Sequence, residues 1–287
     1  VLEFKDGLTH DIDYSTSDDV WVDWQVPSMY TTVNWLDGAS CYNLQGFEDS
    51  RINMTGGSID WDLYAHGTSQ VDISGGLICR GLDAYGSSQV AMSGGLIGRG
   101  LYAHGTSQVD ISGGAILWLV AYDSSQVHVS DGLIGQDLYA QGSSQVAISG
   151  GAIDHRLFAH ESSQVDISGG AIGGSLNADD SSHVDMSGGS IDGDLWASGS
   201  SLLTLHGSED FAVDGQQFGY GELTSILGGY CGDEPYRHLS GMLDSGELID
   251  NGFRIGYNAR IVLIPEPASA MMLGLGGVFF ALRRMRR

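Results

Sequence analysis

The chain has 287 residues, with 12 Lys plus Arg against 36 Asp plus Glu, a formal net charge of −24, 44 glycines and 42% hydrophobic residues. Lys5 is its only lysine and four arginines fall in the last five residues, so residues 1–264 hold 8 basic and 35 acidic side chains, a net of −27. Such a balance excludes nucleic acid as a partner, because phosphates need a basic stripe; the apolar share excludes a disordered chain, and abundant Gly with few Pro predicts a β-rich fold with many tight turns.

The opening, Val1-Leu2-Glu3-Phe4-Lys5-Asp6, shows neither the charged nor the apolar region of a signal peptide. Residues 1–43 lack the motif that follows and are expected to form an N-terminal cap. Cys41, Cys79 and Cys231 are too few for a disulfide framework, and no CxxC pair supports a zinc site. Cys41 and Cys79 lie 38 residues apart, which is two repeats, so they are expected in one column two coils apart, as free thiols.

From residue 44 the chain repeats itself. LYAHGTSQVDISGG at 63–76 returns at 82–95, 101–114, 119–132, 138–151, 157–170 and 176–189, with worn copies at 44–57 and 195–207. The step is 19 residues, with one step of 18 near Trp118. Leu-x-Ala (Leu63, Ala65) and Val-x-Ile (Val71, Ile73) are period-two pairs, the spacing of strands with both side chains on one face. A further Ile column follows the Gly pair, at Ile59, Ile78, Ile97 and onward. One unit cannot bury such a face alone; stacked coils can. The prediction is an all-β chain, a parallel β-helix or β-solenoid of about nine 19-residue coils over 44–207, about 43 Å long at about 4.8 Å per coil. A propeller needs blades of roughly 40 residues, and the leucine-rich motif differs. Residues 208–264 read as a C-terminal β cap, with strands expected at 211–213, 223–226, 253–255 and 260–264.

The chain then changes character. Residues 268–282 are a 15-residue apolar run between Pro265-Glu266-Pro267 and the cluster Arg283, Arg284, Arg286 and Arg287. As a helix the run spans roughly 22 Å, and the arginines sit where a membrane segment carries its cytoplasmic charge. This order resembles the PEP-CTERM sorting signal of exported proteins in Gram-negative environmental bacteria. The resemblance covers residues 265–287. It implies export, transient membrane anchoring and recognition at Pro265–Pro267 by an exosortase-type processing enzyme. Ala268, Leu273, Leu275, Val278, Phe279, Phe280 and Leu282 would form the hydrophobic helix, and the arginines its positive stop. With VDISGG, LHGSEDFAVDG and NARIVLIPEP, the chain also resembles repeat-bearing PEP-CTERM proteins of planctomycete-type bacteria.

The outward columns carry the remaining chemistry. Asp72, Asp110, Asp166 and Asp185 share a column with Ala91, His128 and Ala147. A solvated face explains them, and weak Ca²⁺ binding is the sharper reading, since stacked carboxylates repel. No other cofactor is implied, and the GGxGxDxUx calcium nonapeptide is absent. The Gln column (Gln70 to Gln164) is expected to form an amide ladder along the axis. The paired Ser/Thr beside it, such as Thr68/Ser69, are expected to serve turns. Tyr64, Tyr102, Tyr139, Phe158 and Trp196 lie between inward Leu and Ala, so they should point outward, where rings stack on sugars or on a protein; a terminal segment covering them is the competing expectation. His66, Tyr85, His104, Tyr122 and His160 sit near the following turn, with His66 and His104 about 10 Å apart, too far to share a metal.

Enzymes on this fold carry paired carboxylates on loop insertions. Here no coil is interrupted and no Ser/His/Asp or HExxH arrangement occurs. The expectation is a non-enzymatic exported surface or extracellular-matrix protein with a structural or adhesive role. A carbohydrate-binding or carbohydrate-active β-helix, with extracellular polysaccharide as partner, is the alternative.

Overall fold

A computed structural model describes residues 1–23, 30–208, 210–223, 237–256 and 258–265. Among the described residues there is no helix, and the strands wind into a parallel β-solenoid of about ten coils with a spacing near 19 residues.

One coil shows how the repeat dictates the winding. Leu63–Ala65, Gln70–Ile73 and Leu77–Ile78 are short strands on three successive sides. Each pairs in parallel with its counterpart in the next coil, Leu63 with Leu82, Val71 with Val90 and Ile78 with Ile97. The period-two residues therefore fall inward: Leu63, Ala65, Val71, Ile73 and Ile78 are all buried. Identical residues stack into continuous apolar stripes, each large side chain contributing about 1.5–3 kcal/mol on burial. The 18-residue coil loses its residue where expected: Ile97 pairs with Ile116 but Gly100 with Trp118.

Two corners need special backbone. At the Gly-Gly bend the second glycine has positive φ (+87° at Gly76), while a Cβ on the first, Gly75, would stand 2.4 Å from the Thr55 carbonyl oxygen of the preceding coil. At the other corner Gly67 has φ +65°, and Asp123, Glu161 and Asp180 hold the same column at +57°, +60° and +60°. Their carboxylates reach back one coil. The amides of Gly105, Gly142 and Glu161 donate to Asp123, Glu161 and Asp180 at 2.9, 2.7 and 3.1 Å. Acidic residues thus offset left-handed strain with a charge-assisted hydrogen bond.

The ends refine the expected caps. Leu2–Phe4, Val20–Val22 and Leu44–Gly46 form one parallel ladder, and Thr9–Ile12, Thr32–Trp35 and Arg51–Met54 another. The described residues of 1–43 therefore continue the winding, with Val20, Val22, Val33 and Trp35 fully buried in the stripes. In the corner beside them, buried Asp23 accepts from the Thr31 amide at 2.7 Å and its hydroxyl at 2.6 Å. At the far end Leu248–Ile255 and Arg260–Ile264 add parallel rungs to Leu195–Ala197 and Leu202–His206. The free edges of those rungs are paired antiparallel by Arg237–Met242 and Gly221–Leu223. A paired edge cannot template further strands. Of the expected strands, Ala212–Val213 and Gly221–Leu223 are found close to their predicted places, while residues 224–226 lie outside the described residues.

Candidate functional site

The outward surface is a set of columns whose members are neighbours only because the coils are in register. The most continuous is aromatic. Phe47 stacks on His66 (centroids 4.8 Å, planes at 11°), His66 on Tyr85 (5.3 Å, 6°), Tyr85 on His104 (4.8 Å, 11°) and His104 on Tyr122 (4.7 Å, 5°). The coil spacing is close to the stacking distance of planar rings, so both faces of His66, Tyr85 and His104 are occupied by neighbouring rings. These rings present edges to solvent. Residue types placed His66 and Tyr85 near one turn, but the stack itself is visible only once register is known.

An acidic network lies beneath it. The Tyr64 hydroxyl donates to Asp62 and that of Tyr85 to Asp83, both at 3.3 Å, and His104 Nε2 lies 3.7 Å from Asp83. Burial, followed by the charges of Asp62 and Asp83, pushes the Tyr64 phenol up to about 12. Burial also raises the Asp83 carboxyl and lowers the His66 imidazole, because each charged form is poorly solvated there.

The expected aromatic set does point outward, yet it forms no open platform. The row reads Tyr64, Asp83, Tyr102, Val120, Tyr139, Phe158, Asn177 and Trp196. Its five aromatics are half-buried, and Val120 and Asn177 are buried. Tyr139 and Phe158 stack on each other (4.9 Å, 6°), Arg156 lies 4.8 Å over Phe158, and Arg254 lies 5.4 Å over Trp196. A second cluster went unnoticed in the sequence: Tyr42 meets Trp61 at 4.5 Å, and Arg80 covers Trp61 at 3.9 Å.

The carboxylate column is interrupted as its sequence implies, running Asp72, Ala91, Asp110, His128, Ala147, Asp166 and Asp185. Among the four candidates only Asp166 and Asp185 occupy adjacent coils. Asp72 lies 3.6 Å from Arg51 Nε, Asp110 3.8 Å from His128 Nδ1, and Asp185 2.6 Å from His206 Nε2. Among the described residues no group of three or more His, Cys, Asp or Glu side chains is placed to hold a metal ion.

The Ser/Thr pairs do sit in turns, the Ser69 amide donating to the His66 carbonyl at 3.2 Å, while the amide ladder expected of the Gln column needs revision. The first hydroxyl residue of each Ser/Thr pair is exposed, but the second is interior: Ser69, Ser88, Ser107, Ser125, Ser144 and Ser163 have no accessible surface. Only Ser201 in that column directs its hydroxyl to a carbonyl, that of Ala178 one coil back, at 2.9 Å. The Gln side chains are exposed, and among the described residues no hydrogen bond joins one Gln amide of the column to the next.

Cys41 and Cys79 are free, as expected, but not in one column. Cys41 pairs with Ile59 and Ile59 with Ile78, because the intervening step is 18 residues. Cys41 is buried and Cys79 exposed. Burial, then the charges of Asp60 and Asp19, pushes the Cys41 thiol up and disfavours its thiolate.

Pro265 is exposed directly after the strand Arg260–Ile264. Glu266, Pro267 and the predicted membrane tail through Arg287 lie outside the described residues. Among the described residues no helix is long and apolar enough to cross a membrane. The class defined by fold and surface is thus a repeat-built parallel β-solenoid with laddered side chains. No family model, curated protein or solved structure matches the chain.

Proposed function

We propose that this protein is a non-enzymatic structural or adhesive component of the cell surface or extracellular matrix, exported and sorted through residues 265–287. The solenoid, from its N-terminal rungs through Arg260–Ile264, is the presented body, and the antiparallel strands Gly221–Leu223 and Arg237–Met242 close its far end. An exosortase-type enzyme acts at Pro265–Pro267, and the apolar tail with its arginines anchors the chain in the membrane until then.

The observation that carries the structural role is the uninterrupted register from Leu44 to Leu195, broken by one single-residue deletion. The coils of this span thread no catalytic loop between rungs. Outward aromatic faces are largely spent on one another, which favours a stiff scaffold over a sugar-stacking groove.

Localisation tests the sorting reading. The full chain is expected at the cell surface or in the matrix, and a chain ending at Ile264 is expected elsewhere. Identical destinations would overturn it. A glycan array probed with the full chain is expected to be flat; binding lost in Tyr102→Ala and Tyr139→Ala would replace the scaffold with a carbohydrate binder.

A further inference from the structure

One face breaks the acidic surface. After each Gly-Gly bend, Asp131-Gly132 in one coil, the residue before the inward isoleucine points outward, giving the in-register column Leu77, Leu96, Ala115, Leu133, Ala152 and Ala171. Leu96 is 47% and Leu133 40% exposed. Ser58 and Ser190 end the strip on either side, so it runs about 24 Å from first to last rung at about 4.8 Å per coil. An apolar strip on so acidic a chain needs a cover.

Its side chains indicate which. Two leucines occupy the N-terminal rungs and two alanines the C-terminal rungs. Let two copies meet face to face, antiparallel, about a two-fold axis across the strip between the Ala115 and Leu133 rungs. Leu77 then faces Ala171, Leu96 faces Ala152 and Ala115 faces Leu133, so bulk meets gap on every rung. Charge agrees. Exposed Arg99 lies on the leucine half and exposed Asp154 on the alanine half, and the same axis brings their rungs together. Arg156, beside Asp154, is already engaged by Asp137 at 3.3 Å. A parallel pair would set leucine on leucine.

We propose that this face is an antiparallel, two-fold contact between two copies of the chain. The isologous contact closes on itself, while the acidic remainder keeps other faces apart. Its small area makes the association reversible and concentration-dependent. The proposal goes beyond the export reading and stands without it.

Sedimentation velocity on the full chain, over rising concentration to ~0.5 mM, tests it. The expected result is a monomer–dimer equilibrium that Leu96→Asp/Leu133→Asp weakens by about tenfold or more with an unchanged far-ultraviolet circular dichroism spectrum. Both side chains point away from the core, so the fold tolerates the change. Arg99→Asp is expected to weaken association and Arg99→Asp/Asp154→Arg to restore it. A monomer throughout, or association unchanged by Leu96→Asp/Leu133→Asp, would overturn the contact. Failure of the charge exchange to restore it would overturn the antiparallel register.

Discussion

At Ser107 a hydroxyl is enclosed at a corner of the coil with no accessible surface and no hydrogen-bond partner among the described residues, a condition repeated from Ser50 to Ser182. A buried, unpaired hydroxyl costs about 1–3 kcal/mol, so the column is kept by size: a larger side chain would overfill the corner. Ser107→Ala is therefore expected to be neutral or stabilising by up to about 1 kcal/mol, and Ser107→Leu destabilising by about 1–3 kcal/mol, read from denaturant unfolding. Ser201→Ala loses a real hydrogen bond and should cost about 1 kcal/mol. Tyr64 offers a second test. Its phenol ionises more readily in the unfolded chain, with an ordinary value of 10.0, than in the fold, where it is raised to about 12. Its contribution to stability is thus full below pH 10 and lost as pH rises towards about 12. Burial raises the Tyr85, Tyr102 and Tyr139 phenols as well, so a tyrosinate absorbance titration should show several late-ionising groups, one fewer in Tyr64→Phe.

A coil survives by the two backbone devices at its corners as much as by its apolar stripe. Gly94 has ordinary φ, yet a Cβ there would lie 2.5 Å from the Ser74 carbonyl oxygen. Gly94→Ala must push two coils apart and is expected to destabilise by about 1–3 kcal/mol, with loss of amide exchange protection confined to the flanking rungs. Leu138→Ala leaves a void in a fully buried column and should cost about 2–5 kcal/mol by thermal or denaturant melting. The Gly pair, the strand pairs and the short step near Trp118 could all be read from spacing. The carboxylates of Asp123, Glu161 and Asp180 could not, because an acidic residue in a turn gives no sign that it bonds an amide a whole coil earlier.

Across the molecule, each coil touches chiefly its neighbours, so stability is a sum of coils and interfaces. Removing residues 138–156, one full period, should leave the remaining ladder in register and preserve the β circular dichroism spectrum with a modest fall in Tm. Removing 138–147 should abolish cooperative folding, since it shifts inward columns away from their counterparts. The solenoid and its interior columns were determined by sequence alone, because a 19-residue recurrence of period-two pairs has few other ways to bury Leu63, Val71 and Ile78 together. Tertiary structure alone decided that the described residues of 1–43 join the winding: Leu2 pairs with Val20 and Thr9 with Thr32, steps of 18 and 23, and these ladders with the burial of Val20, Val33 and Trp35 mark them as rungs. It also decided that Cys41 and Cys79 part company and that Phe47, His66, Tyr85, His104 and Tyr122 become one stack. Those relations depend on which residue of one coil lies over which of the next, and a single deleted residue resets that pairing while barely changing the composition around it.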